Sequence, residues 1–135
     1  MLSGCATSHS PTAESILGTQ TDAEGTAKLT GFDYRKNLES AVRKEPKGLH
    51  ALFQFTDSES FVGAGADDHC KTLYDLLHLW GDREFAHELA KENHHIRTAV
   101  IDALEYAWDY QGWTPSVYPM TYSLAKHDKV PTSPP

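Results

Sequence analysis

The feature that most constrains the fold is a long apolar stripe in the C-terminal half of the chain. Apolar residues recur there at spacings of three and four, which is the period of one face of an α-helix. They are Ile96, Ala99, Val100, Ala103, Leu104, Ala107 and Trp108. Asn93 stands just before the stripe, where its side chain can accept a hydrogen bond from the first helical turn. The spacing therefore predicts an amphipathic helix that begins after Asn93.

Two further helices precede it within the stretch Asp67–Trp108. The first is predicted by apolar residues at the same helical spacing, namely Leu73, Leu76, Leu77 and Trp80. We expect Asp67 or Asp68 to cap its start. Gly81 is expected to end it in the left-handed conformation, and Asp82 to cap the next helix at once. The middle helix would bury Phe85, Ala86, Leu89 and Ala90.

The residues before this stretch predict two shorter helices. One runs from Asp33 to Glu45, where Pro46 stops it, and the second follows Pro46. Their predicted inner faces consist of Tyr34, Leu38, Ala41 and Val42, and of Leu49, Leu52 and Phe53. A loop is expected at Asp57–Ala66. The fold class is therefore all-α, with about five helices in stacked antiparallel hairpins over residues 29–110.

The helix that begins near Ile96 resembles the second helix of a HEAT-type repeat. Residues 96–104, IRTAVIDAL, fit the Val/Ile-Arg-x-Ala-Val/Ala-x-x-Ala-Leu pattern that is common there. The resemblance covers one hairpin, Asp82–Trp108. It implies a scaffold of stacked helices whose usual role is to bind another protein, and it brings no catalytic residues with it.

The N-terminus resembles a bacterial lipobox, at which a lipoprotein signal peptide is cleaved and the following cysteine is lipidated. Leu2-Ser3-Gly4-Cys5 fits all four positions. A signal peptide needs a basic start and an apolar run, and only four residues precede Cys5. Either the match is accidental, the sequence is trimmed, or the start codon lies upstream of Met1. Residues 1–28 would then hold the lipobox and a flexible tether, because residues 6–28 are small and polar.

The lipobox resemblance implies a compartment as well as an anchor. A lipid on Cys5 would hold the protein on a membrane of the bacterial cell envelope. Ala6 after the cysteine is similar to outer-membrane lipoproteins, since the inner-membrane signal usually has Asp there. The alternative is a cytoplasmic protein with a disordered N-terminal arm.

Residues 111–135 form a tail rich in proline and aromatic residues. Five prolines in this range are unfavourable for a long helix. Trp113 and Tyr118 are too apolar for a purely solvated tail, so we expect part of it to strap over the helical domain.

Charge narrows the range of partners. The 135 residues carry a formal net charge of −7, and residues 67–110 alone carry ten acidic and four basic side chains. Nucleic acid requires a basic surface, so we expect no nucleic-acid partner. The sequence favours a non-enzymatic protein-binding or scaffold module without a cofactor. Its expected contact residues are Asp102, Glu105 and Asp109 on the last helix, with Trp113 and Tyr118 in the tail.

The alternative function is a small metal-dependent enzyme. Eight histidines are many for a chain of this length. Two zinc ligands on one helix normally stand three or four residues apart, and no pair of these histidines does. The remaining option is a site at the helix corner Leu89–Ile96, where His87 would face His94 or His95.

Overall fold

All regular structure in the described part of the chain is α-helical. The computed structural model describes residues 12–18, 21–58, 63–111 and 117–128. These ranges hold eight helices, α1 (Ala13–Leu17), α2 (Thr21–Lys28), α3 (Tyr34–Val42), α4 (Pro46–Thr56), α5 (Gly63–Trp80), α6 (Asp82–Leu89), α7 (His94–Gln111) and α8 (Pro119–Asp128). The all-α prediction is confirmed, with eight helices in place of about five.

Helix α5 is the centre of the packing. It contacts α7 and α2 most extensively, and it also contacts α1, α3 and α6. Leu38, Leu76 and Leu104, one from each of three predicted apolar stripes, are fully buried in the resulting core. Within the described ranges, no helix has both the length and the apolar character needed to cross a membrane.

Helices α3 and α4 form a close antiparallel pair. Pro46 is the first residue of α4, where its missing N–H costs no hydrogen bond. The two helices approach so closely that a Cβ on Gly48 would lie 2.5 Å from the carbonyl oxygen of Asn37. Trp80 joins this pair to α5, because its Nε1–H donates to the carbonyl oxygen of Ala41 at 2.9 Å.

Residues 6–28, expected to be a flexible tether, include two helices. Helices α1 and α2 lie inside the range 6–28 and belong to the folded domain. Ile16, Ala23 and Ala27 are fully buried in the core. Three small or isolated apolar side chains give little periodic signal, so the polar composition of this range concealed two short helices.

Helix α5 also begins earlier than expected. It starts at Gly63, within the range Asp57–Ala66 that was expected to be a loop. Asp67 and Asp68 therefore lie inside the helix and do not cap it. Glycine is a poor helix former but is not forbidden in one, and Gly65 is buried against the rest of the domain.

The corner between α5 and α6 is as tight as predicted and Gly81 has the expected positive φ, but Asp82 has a different role. Gly81 has φ +89°, the left-handed region that favours glycine, and it is also the N-cap of α6. Asp82 is the first residue of α6. Its carboxylate accepts hydrogen bonds from the backbone N–H groups of Met120 at 2.7 Å and Thr121 at 2.8 Å. Asp82 therefore caps α8, not α6.

Helix α8 corrects the expectation of an irregular tail. Pro119 is its first residue, a position that tolerates proline, and the helix continues to Asp128 without another proline. It packs against α6 and α7.

Helices α6 and α7 adjoin in sequence but do not form the main packing pair expected for Asp82–Trp108. Helix α6 packs mainly on α8 and α5, and α7 packs mainly on α5, α8 and α4. Ala90, expected to be buried, is the exposed C-cap residue of α6.

Candidate functional site

A cleft of about 430 Å³ lies between α5 and α7. Four small side chains line it, two from each helix, namely Ala66, Cys70, Ala99 and Ala103. Helix pairs normally interdigitate larger side chains, so small residues facing one another leave space. The remaining lining residues are Thr56, Asp67, Asp102 and Tyr106, and together these eight residues define the α5–α7 cleft.

The cleft has an apolar interior and an acidic rim. Thr56, Cys70 and Ala103 are buried at its floor. Asp67 on α5 and Asp102 on α7 are exposed, so each helix brings one carboxylate to the opening. A volume of this size is within the usual range for small-ligand pockets, roughly 300–1,000 Å³. The arrangement suits a ligand that is apolar at its tip and cationic behind it.

The thiol in the cleft is not set up as a nucleophile. Burial, with a further contribution from the charge of Asp67, raises the pKa of Cys70 to about 12. A nucleophilic cysteine requires the thiolate, which a raised pKa disfavours. Cys70 is therefore a small, protonated side chain that contributes apolar surface to the floor.

A buried polar network lies behind the floor. The Nδ1 atom of His69 is 2.7 Å from the hydroxyl of Tyr34, and its Nε2 atom is 2.7 Å from Oγ1 of Thr56. Thr56 also donates to the carbonyl oxygen of Leu52 at 2.8 Å. Each hydroxyl has one hydrogen, so these distances fit a neutral His69 that donates from Nε2 and accepts from Tyr34.

This network resembles a hydroxyl–imidazole catalytic arrangement, but its chemistry is structural. His69 is fully buried, and that burial lowers its pKa to about 3, so the ring is a very weak base near neutral pH. Burial also raises the pKa of Tyr34, which is therefore not an anion that could stabilise an imidazolium. The network satisfies buried polar groups and holds α3, α4 and α5 together.

A second polar cluster joins α4 to α6 and to the turn before α7. The imidazole of His50 lies between two largely buried carboxylates, with Nε2 2.8 Å from Glu88 Oε1 and Nδ1 2.5 Å from Glu92 Oε2. Lys91 makes a further contact with Glu88 at 3.2 Å. Desolvation opposes ionisation of Glu88, but the hydrogen bonds from His50 and Lys91 outweigh it and lower its pKa.

The His50 cluster does not have the geometry of a metal site. Its two carboxylates contact opposite nitrogens of one ring, so a single cation cannot bind both carboxylates and the ring. More generally, the described residues contain no group of three or more His, Cys, Asp or Glu side chains placed to hold a metal.

The histidines of the expected corner site are on the surface. His94 and His95 are exposed in the first turn of α7, with ring centroids 5.7 Å apart. His87 is exposed on α6, where it lines a groove of about 600 Å³ together with Trp80 and Met120. These three rings do not form a three-ligand metal group within the described structure.

The structure separates the expected partner-binding residues. Asp102 lies on the rim of the cleft, and Glu105 is partly exposed one turn further along α7. Tyr118 is only 6% exposed, and its hydroxyl lies 2.6 Å from Nδ1 of His78, so it is not an accessible contact. Cys5, Trp113 and the side chain of Asp109 lie outside the described residues.

Sequence reasoning missed both polar clusters. His50 lies 38 and 42 residues from its carboxylate partners, and Tyr34 lies 35 residues from His69. A search for ligands within one helix cannot find pairs that only the tertiary fold brings together. The cleft has one indication in the sequence, which is that small residues recur every four residues along α7, at Ala99, Ala103 and Ala107.

The chain was compared with protein-family models, with curated proteins and with solved structures, and none of the three comparisons found a match.

Proposed function

We propose that this protein is a non-enzymatic binding module that holds a basic segment of another protein against the α5–α7 cleft. The observation that carries the proposal is the cleft itself, which among the described residues is an apolar space with a carboxylate at its rim from each of two helices. The surrounding charge supports it, because residues 67–110 carry a net charge of −6. Complementary charge accelerates association and selects the partner.

We further propose that the module is held at the bacterial outer membrane by a lipid on Cys5. The support is the fit of Leu2-Ser3-Gly4-Cys5 to the lipobox pattern. Labelling cells with radioactive palmitate tests it, using the gene with its upstream codons and a Cys5→Ser variant. Label on the native protein alone supports the anchor. Label on neither protein overturns it and leaves the binding proposal untouched.

Charge reversal at the cleft tests the binding proposal. The probe is a fluorescent lysine-rich peptide, and the readout is its anisotropy at low and high salt. Asp67→Lys with Asp102→Lys should abolish binding, because both rim charges become repulsive. Glu84→Lys with Glu14→Lys is the matched control, since both residues are exposed acids outside the cleft and the double variant changes the net charge by the same amount. Equal loss in both variants would show that only the net charge matters.

A further inference from the structure

We propose that the bound segment has an apolar side chain at its centre, which enters between α5 and α7, and basic residues on either side, which pair with Asp67 and Asp102. This inference rests on the proposed function and specifies the ligand of the same cleft. The cleft would then recognise two features of the ligand together, one aliphatic side chain and the cationic side chains next to it.

The interior of the cleft determines which group can enter. Its walls are the side chains of Ala66, Ala99 and Ala103, and its floor includes the protonated thiol of Cys70. The hydroxyl of Thr56 is already hydrogen-bonded to Leu52 and His69. An ammonium group inserted tip-first would lose its water against these apolar side chains, and burial of a charge is strongly unfavourable unless it is paired and hydrogen-bonded. An aliphatic tip such as leucine or methionine has no such cost.

The rim determines what must flank that side chain. Asp67 and Asp102 come from opposite helices and are both exposed, so they border the opening on two sides. A chain that crosses the opening with its central side chain inserted brings the neighbouring side chains over the rim. Lysine or arginine at those positions can reach the carboxylates while the charges remain hydrated, which avoids a large desolvation cost.

Two peptides that differ in one residue test the inference. Both have two lysines on each side of a central residue, which is leucine in one peptide and glutamine in the other. We expect the leucine peptide to bind the full chain about tenfold more tightly, from burial of one aliphatic side chain. Titration calorimetry measures the two affinities at the same salt concentration.

Two variants test separately whether the apolar interior selects the central side chain and whether the rim carboxylates bind the lysines. Ala99→Leu fills the cleft from α7 and should remove the preference for the leucine peptide over the glutamine peptide. Asp67→Asn with Asp102→Asn should weaken binding of both peptides and reduce the salt dependence of that binding. Glu84→Gln with Glu14→Gln removes the same charge outside the cleft and should leave both affinities unchanged. Circular dichroism verifies that each variant is folded. If Ala99→Leu does not fold, the comparison of the two peptides on the native protein still shows whether the cleft prefers leucine to glutamine.

The outcomes separate the inference from the proposed function. Tighter binding of the leucine peptide, lost in Ala99→Leu, supports the inference. Equal affinity for both peptides, weakened by the two rim substitutions, overturns the inference and leaves an acidic surface that binds basic segments by charge alone. Absence of binding to either peptide overturns both.

Discussion

His50 holds Glu88 at 2.8 Å and thereby links α4 to α6 across 38 residues of sequence. The other ring nitrogen contacts Glu92 Oε2 at 2.5 Å, so the ring bridges two largely buried carboxylates, one through each nitrogen.

Removal of that bridge should destabilise the fold. His50→Ala leaves Glu88 and Glu92 without their shared partner, and we expect a loss of about 2–3 kcal/mol in the free energy of unfolding by urea. This is less than the roughly 3–5 kcal/mol of a fully buried pair, because His50 retains some exposure. Adding Glu88→Gln and Glu92→Gln should recover part of the loss. If His50→Ala changed the free energy of unfolding by no more than the experimental error, water would already separate His50 from the two carboxylates.

Buried His69 should make the protein less stable in acid. Its pKa is about 3 in the folded protein, against 6.5 for an ordinary histidine, so the unfolded chain binds this proton more readily. The contribution is fully present above pH 6.5 and is lost progressively as the pH falls towards 3. Between pH 7 and pH 5 we expect a loss of about 2 kcal/mol from this group, measured by urea unfolding.

Other groups titrate in the same range, so the contribution of His69 needs its own control. The NMR signal of the His69 ring should keep its neutral chemical shift from pH 8 to pH 5. In His69→Gln the fall in stability between pH 7 and pH 5 should be smaller by that same amount. Titration of the ring near pH 6.5 in the folded protein would contradict its buried, neutral state.

Two glycine-to-alanine substitutions should have opposite effects on stability. Gly48 faces α3, and an added Cβ would lie 2.5 Å from Asn37 O and from Ser40 Cβ, so Gly48→Ala must push the helices apart. We expect a loss of about 1–3 kcal/mol, as for overpacking. Gly25 lies in α2 with nothing within 4 Å of its Cβ position, so Gly25→Ala should stabilise by about 0.5–1 kcal/mol. Thermal unfolding of both variants measures whether each substitution lowers or raises the stability.

The thiol of Cys70 should react slowly. Its pKa is raised to about 12 from the ordinary 9.0, and its side chain is 5% exposed. In a Cys5→Ser background, a disulfide reagent at pH 8 should label Cys70 about 1,000-fold more slowly in the folded protein than in urea. A labelling rate within tenfold of the rate in urea would show that Cys70 is accessible to reagents and that its thiol is ionised.

The sequence predicted the helices that carry a long apolar stripe and a recognisable cap. The stripe after Asn93 is the clearest case, and the Asn93 side chain accepts from the N–H of Ile96 at 3.0 Å, as expected. Helices α1 and α2 have too few apolar residues for a periodic signal. Helix α8 gives little signal in the sequence because proline usually interrupts a helix, whereas Pro119 stands at the first helical position, which tolerates it.

The site was only partly predictable for a related reason. Asp102 was found because charge on the outer face of a helix is visible in sequence. Asp67 was taken for a cap, since the start of α5 at Gly63 depends on packing and not on local preference. The open space between α5 and α7 depends on which residues face each other across two helices, and one sequence does not contain that pairing.

The early start of the fold limits how far the protein could stand from a membrane. Helix α1 begins at Ala13, and its N-cap Thr12 is locked by a reciprocal pair of hydrogen bonds with Ser15. If Cys5 carries a lipid, only eight backbone steps separate the anchor from the first helix. Even fully extended they would span roughly 30 Å at most. The domain would then sample only a thin layer next to the bilayer, and its partner would have to present the basic segment within that layer.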